Sequence, residues 1–265
     1  MSSDSSGNAS VHRAAAEGFA AGAETYVRGR PEYPLQALEW LRNVIGLAEG
    51  KTAIDLGAGT GKFSKVMLAT GAKVIAVDPV GPMLDRLRRD VPEVGAVVGN
   101  AEHIPLDAES ADGVLCAQSF HWFATPSAVA EIRRVLRPGG ALGLIWNVRD
   151  ESVAWVAQLG AILEPYAGDA PRMTSGNWRT VFPAPGFGPL HETQFPHVHT
   201  GPPERVIVDR VTSISFIAAL PASERDRVIA RVRELIDATA SLVSRDEVSF
   251  PYLTMAFHAR ATSVE

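Results

Sequence analysis

The densest concentration of chemistry in the sequence is Ala53-Ile54-Asp55-Leu56-Gly57-Ala58-Gly59-Thr60-Gly61, an apolar run that ends in an acid and then in alternating glycines. Glycine lacks a Cβ, so a turn of this kind lets the backbone come close to a ligand and take conformations that other residues resist. Two details narrow what that ligand is. The dinucleotide fingerprint Gly-x-Gly-x-x-Gly wants its third glycine where Lys62 stands, and here it arrives one residue early, at Gly61. Asp55 also places a carboxylate at the strand end, which is unhelpful beside a pyrophosphate and suits a ligand carrying an ammonium group.

A second acid follows in Val74-Ile75-Ala76-Val77-Asp78-Pro79, 17 residues beyond Gly61. An acid at a strand tip can accept both ribose hydroxyls, although it can also be a turn or helix-cap aspartate. Farther on, Gly99-Asn100-Ala101-Glu102 offers an amide oxygen at Asn100 that can accept from an adenine amino group. Together these residues favour the amino-acid end and nucleoside of S-adenosylmethionine over NAD. An NAD-dependent oxidoreductase and a non-catalytic cofactor-binding protein are the alternatives.

In-line displacement at a sulfonium carbon requires alignment and exclusion of water, and no metal in principle. His121, just after a predicted fourth strand, is the candidate base; it serves equally as a pocket wall or as a structural residue. Gln118, Phe120 and Trp122 flank it, the two aromatics suiting either a cation's surroundings or the core. His191, His197 and His199 share a predicted strand but lack an acidic or cysteine co-ligand at strong spacing, so no metal is assigned.

Short β-rich runs alternate with amphipathic stretches from Thr52 to Trp146, the pattern of βαβ units on a parallel sheet. Strands are predicted at Thr52 to Asp55, Lys73 to Val77, Gly95 to Val98, Gly113 to Cys116 and Ala141 to Trp146. Helices are predicted at Leu35 to Ile45, Lys62 to Leu68, Pro82 to Arg89 and Ser127 to Leu136, the last stopped by Pro138-Gly139-Gly140. Asp150 to Leu190 loses this alternation and reads as a cap. Helices are predicted at Val206 to Ala219 and Ser223 to Ala238, with closing strands at Leu190 to His199 and Glu247 to His258. Residues 13–265 form a single expected domain, with its core at 35–147 and 188–260, its cap at 151–189, and an N-terminal segment at 13–34.

Composition limits the partners. A net charge of -5 without a long Lys/Arg block gives no footprint for nucleic acid, and the Arg86 to Arg89 patch reads as a solvated helix face. No apolar run approaches the roughly 20 residues that span a bilayer. Met1 to Ser10 has neither a basic start nor an apolar run, so it reads as a disordered lead in a cytoplasmic protein. The single cysteine, Cys116, lies in an apolar run and reads as a buried small side chain.

The run Asp55 to Gly61, then Val77-Asp78-Pro79 and Gly99 to Pro105, resembles class I S-adenosylmethionine-dependent methyltransferases. Tyr26 with Arg30-Pro31-Glu32-Tyr33-Pro34, Gln118 to Phe123, Trp146-Asn147 and Phe250-Pro251-Tyr252 resemble the subgroup containing trans-aconitate methyltransferase-like proteins and fungal bis-thiol methyltransferases. The resemblance implies a Rossmann-like, doubly wound α/β fold: a mainly parallel seven-stranded sheet with an antiparallel last strand and a helical lid. It implies that Gly57, Ala58, Gly59 and Gly61 line the methionine moiety, Asp78 and Pro79 border the ribose, and Met83 packs on adenine. Asn100, Ala101 and Glu102 meet the adenine edge, Gln118 and Phe120 lie near the reactive centre, and Tyr26 and Arg30 close over the cofactor, Arg30 toward its carboxylate. Trp122, Trp146, Trp155, Trp178 and Arg179 are left for the acceptor, a small-molecule thiol or organic acid. From the cap, the resemblance has Trp155, Tyr166, Trp178, Arg179 and Phe182 wall that acceptor, with Arg179 meeting an acid substrate or tying down the lid. The chain departs from the family at Asn100, where Asp is frequent.

Overall fold

The computed structural model describes residues 29–262. Seven strands form one sheet in the order β3-β2-β1-β4-β5-β7-β6. They are β1 (Thr52–Leu56), β2 (Lys73–Asp78), β3 (Gly95–Val98), β4 (Ala111–Ala117), β5 (Leu136–Arg149), β6 (His191–Gly201) and β7 (Val248–Arg260). The first five strands pair in parallel. From Gly139 near the start of β5 to Asp150 just past its end, the hydrogen-bond partners run back from Ala261, just past β7, to Pro251 within it, so β7 is antiparallel to β5. The order reverses beside β1, which places the carboxyl ends of β1 and β4 at the edge where open α/β sheets bind ligands.

The chain divides into two compact units. The larger takes its described residues from 33–148, 171–197 and 253–262. Its helices are α1 (Leu35–Trp40), which runs on into a π-turn at Leu41–Ile45, α2 (Lys62–Leu68), α3 (Gly81–Asp90) and α4 (Pro126–Val135). Local signals set their ends: Pro82 lies in the first turn of α3, and the Thr125 hydroxyl caps α4 by accepting from the Ala128 N–H at 3.1 Å. β1 is buried on both faces, as a central parallel strand must be, and the helices cover it with two apolar clusters, one around Ile54, Val114, Leu144 and Trp146, the other around Trp40, Phe63, Leu84 and Leu115.

The smaller unit takes its described residues from 29–32, 149–170 and 198–252. Helices α5 (Ala154–Leu163) and α6 (Ala222–Ala238) pack Val156, Leu159, Val228 and Val232 against Phe250 and Tyr252. Residues 171–189, expected in the cap, fall in the larger unit. The predicted helix at Val206 to Ala219 is broken into Glu204–Asp209, Arg210–Thr212 and Ser215–Ala218.

Pro138-Gly139-Gly140 was expected to lie between helix and strand and instead belongs to β5. Gly139 takes a φ of +77°, and its N–H and the Gly140 carbonyl both bond Ala261, so the segment extends the pairing with β7 although Pro138 has no N–H to contribute. Among the described residues, no helix is long and apolar enough to cross a membrane.

Candidate active site

β1 delivers Asp55 to the glycine turn. Gly57, Gly59 and Gly61 all take positive φ, at +73°, +56° and +81°. A Cβ at residue 57 would lie 2.6 Å from Ser119 Cβ, and one at residue 61 would lie 2.8 Å from Leu87 Cγ, so packing as well as conformation requires glycine at both positions. At residue 59 the nearest atom would be Met83 Sδ at 3.6 Å, an ordinary contact. The turn is pinned from the next strand, where the Val77 carbonyl accepts from Gly57 N–H at 2.8 Å.

Asp55 is fully buried; its Oδ2 accepts from Ser64 Oγ–H at 2.6 Å, while Oδ1 is buried with no hydrogen-bond partner among the described residues. Burial pushes this carboxyl up to about 7, against the Ser64 hydrogen bond, and the neighbouring Asp78 charge adds to the rise. Asp78 accepts from Gly59 N–H through Oδ2 and from Val80 N–H through Oδ1, each at 2.8 Å. Burial raises its pKa and these two bonds oppose the rise. A carboxylate oxygen has two lone pairs, so each Asp78 oxygen keeps one after this turn is made.

Met83 is nearly buried on α3 and Pro79 is exposed beside it. Asn100 differs from expectation: its Oδ1, expected to meet adenine, accepts from Glu102 N–H at 3.0 Å and His103 N–H at 2.9 Å, closing the turn after β3. Ala101 is buried in the core, and Glu102 accepts from Thr125 and Ser127 hydroxyls at 2.8 and 2.7 Å, which joins that turn to the start of α4.

At the end of β4, Gln118 stands at φ +59°, a conformation unusual for a residue with a Cβ. Its N–H donates to the Ile145 carbonyl at 2.9 Å, and its side chain reaches the Asn147 carbonyl at 3.4 Å. Ser119, which sequence reasoning did not single out, is buried against Gly57 and donates to the Leu56 carbonyl at 2.8 Å, fixing the β4 loop to the glycine turn. Its signal was faint, a small polar residue following a strand. His121 Nδ1 accepts from Trp146 Nε1–H at 3.0 Å. An indole nitrogen only donates, so Nδ1 carries the lone pair and the ring hydrogen sits on Nε2.

Several predicted site residues prove to be core. Phe120 is fully buried, 5.7 Å from Phe123 and 6.3 Å from Trp178 between ring centroids. Trp146 and Trp178 pack on each other at 4.9 Å and both meet Phe257. Their rings pack mainly among other aromatic and aliphatic side chains, with the indole N–H groups satisfied by His121 Nδ1 and the Met173 carbonyl, so they fill the core and do not wall a pocket. Arg179 ties down this cluster: its guanidinium lies 4.7 Å over Trp178 and 4.6 Å over Phe257, and it pairs with Glu192 at 2.9 Å. Trp122 is half-buried beside His121, whereas Trp155 lies in the smaller unit, 4.9 Å from Phe250. Arg30 also lies in the smaller unit, where it donates to the Ser213 carbonyl at 3.1 Å; Tyr26 lies outside the described residues. Cys116 is buried, which pushes its thiol well above the usual range. His191 stacks on His258 at 5.0 Å.

The methyltransferase-domain family profile matches residues 54–144, the stretch holding the glycine turn, Asp78 and the β4 loop. Over nearly its whole length the chain is 42% identical to an uncharacterized methyltransferase-like protein of Schizosaccharomyces pombe, covering 88% of this chain and 91% of that one. The chain belongs to the methyltransferase family. It is 43% identical over 95 residues to a malonyl-[acyl-carrier protein] O-methyltransferase of Methylococcus capsulatus, a match covering 34% of each chain. Among solved structures it resembles a candidate type II methyltransferase of Anaeromyxobacter dehalogenans, with a TM-score of 0.64 and 25% identity, covering 88% of this chain and 97% of that one.

Proposed function

We propose that this protein transfers a methyl group from S-adenosylmethionine to a small-molecule acceptor that arrives as an anion, a carboxylate or a thiolate. The observation that carries the reading is Asp55 Oδ1, a buried carboxylate oxygen without a hydrogen-bond partner among the described residues, beside a positive-φ glycine turn. Such an atom is costly unless it meets a cation, and the cofactor's ammonium is one. Gly57, Ala58, Gly59 and Gly61 would line its methionine part, the remaining Asp78 lone pairs would hold the ribose hydroxyls, and Met83 would pack on adenine. The bound cofactor supplies an electrophilic methyl on a sulfonium sulfur.

What the chain's own residues do follows from their hydrogen bonds. Because His121 Nδ1 is occupied by the Trp146 indole, taking up a proton there would break that bond. His121 is therefore a donor through Nε2–H, suited to orienting an oxygen or sulfur, and the general-base role is disfavoured. An acceptor that is already ionised needs no base. Similarity of the chain's flanking motifs to the trans-aconitate and bis-thiol subgroup supports a small acid or thiol, and the name of the Methylococcus relative supports oxygen as the methylated atom.

The test is calorimetric titration with S-adenosylmethionine, S-adenosylhomocysteine and NAD, followed by S-adenosylhomocysteine release across a panel of thiols and carboxylic acids. Binding of both sulfur nucleosides with turnover on one acceptor class is expected, and Asp78→Ala should weaken both at least tenfold. Binding of NAD and neither sulfur nucleoside would overturn the reading; binding without turnover on any acceptor would favour a non-catalytic protein.

A further inference from the structure

Asp55 and Ser64 stand nine residues apart, on two elements that the glycine turn folds onto each other. β1 ends one residue beyond Asp55, the turn at Gly57, Gly59 and Gly61 reverses the chain, and Ser64 arrives as the third residue of α2. Both side chains are fully buried, and Ser64 Oγ–H donates to Asp55 Oδ2 at 2.6 Å. A serine inside a helix ordinarily turns its hydroxyl to solvent or to a carbonyl of the preceding turn; this one meets the carboxyl of a neighbouring strand instead. Asp55 Oδ1 is left buried, without a hydrogen-bond partner among the described residues.

The two oxygens therefore differ. A carboxylate accepts at both, whereas a neutral carboxylic acid carries a proton on one of them. With the Ser64 hydrogen directed at Oδ2, the acid proton belongs on Oδ1, the same atom that would meet a ligand cation. Proton and cation compete for one oxygen, and the balance depends on how well the ionised form is held. Burial opposes ionisation most; the Ser64 hydroxyl is the first influence against it and the Ser64 backbone N–H the second, while the Asp78 charge adds to the opposition. On the packed elements the titratable neighbours are Asp78 of β2 and Cys116 of β4, whose buried thiol is held in its neutral form. α2 carries Lys62, half-buried at its start, and Lys65, which is exposed and acts on Asp90.

We infer that Ser64 is a positioning residue of the glycine-turn site: its hydroxyl occupies Asp55 Oδ2, leaves Oδ1 to the ligand's ammonium, and favours the ionised carboxylate that the ammonium requires. Ser64 acts through Asp55 and need not touch the ligand. The ammonium rests on the proposed methyl transfer from S-adenosylmethionine; the action of Ser64 on Asp55 does not.

Two readouts test this in the wild type, Ser64→Ala and Ser64→Cys, the cysteine keeping a side chain of similar size with only a weak donor. The first needs no ligand: the Asp55 carboxyl carbon, assigned by its loss in Asp55→Asn, is titrated by NMR. Its midpoint, about 7 in the wild type, should rise by about one pH unit in both variants, because a hydrogen bond that favoured the charged form is gone. The second is calorimetric titration with S-adenosylhomocysteine at pH 6 and pH 9. Below both midpoints the ionised fraction falls about tenfold per pH unit, so the variants should bind about tenfold more weakly than the wild type at pH 6. At pH 9 Asp55 is largely ionised in all three proteins, and their affinities should agree within twofold; titration of the ligand's own ammonium is common to them. Ser64→Ala deletes a single buried atom, and if it fails to fold, Ser64→Cys carries the comparison. An unmoved midpoint overturns the proposal, and so does a loss of affinity equal at pH 6 and pH 9, the mark of a packing defect. A raised midpoint with variant and wild-type affinities equal at both pH values overturns the assignment of Oδ1 to the ammonium. A raised midpoint with no S-adenosylhomocysteine binding by the wild type supports the action of Ser64 on Asp55 and overturns the methyl-transfer reading.

Discussion

Asp55→Asn isolates the electrostatic cost of the glycine-turn site. The carboxyl is raised by burial from 3.8 to about 7, whereas in the unfolded chain it titrates near 3.8. Between those values the folded protein holds a proton that the unfolded chain has released, so wild-type stability falls as pH rises through this window and levels off above 7. At about 1.4 kcal/mol per pH unit, the full span amounts to about 4 kcal/mol, and the part between pH 5 and 8 to about 3 kcal/mol. An asparagine at this position does not titrate. Its fixed cost includes any change at the Ser64 hydrogen bond, but the pH-dependent part is lost. The stability gap between Asp55→Asn and wild type should therefore widen in favour of the variant by about 3 kcal/mol from pH 5 to 8, then stay flat. Urea titrations at unit pH intervals read this directly through the midpoint at constant m. A gap independent of pH would mean that Asp55 ionises like an exposed carboxylate, and the burial argument would fail.

Three more outcomes follow from the same geometry. At pH 6, where Asp55 is mostly protonated, binding a ligand ammonium should drive off close to one proton, measured by calorimetry in buffers of different ionisation enthalpy; proton uptake would contradict the pairing. In wild type the nitrogen NMR shifts of His121 should report the Nε2–H tautomer, and Trp146→Phe should mix the two tautomers by freeing Nδ1. Gly61→Ala should lower stability by about 3 kcal/mol, from a left-handed backbone plus the Leu87 clash, against about 1 kcal/mol for Gly59→Ala, whose larger effect should appear in S-adenosylhomocysteine affinity.

What could be read from the sequence was what the chain encodes locally. Lys62–Leu68 and Gly95–Val98 fall where periodicity put them, and the glycine turn was legible because the spacing of glycines in one short segment sets its backbone. Packing decided the rest. Nothing local distinguishes a tryptophan that walls a pocket from one that fills a core, so Trp146 and Trp178 were misplaced, and the Nδ1 bond that limits His121 joins residues 25 apart. Gln118 carries no sequence mark of its left-handed backbone, because the strain is imposed by the Ile145 bond on a neighbouring strand.

The division of the chain bears on how the protein is made. The smaller unit is not complete until Tyr252, and the larger one takes in the residues of β7 from Leu253 on, so both depend on the two halves of a single late strand, β7. During synthesis neither core can close before β7 has left the ribosome, and the apolar faces of both must remain shielded until then. Truncation near residue 250 should therefore cost both units rather than only the one nearer the cut, and a new acceptor preference is more readily reached by side-chain substitution than by exchange of a contiguous cap.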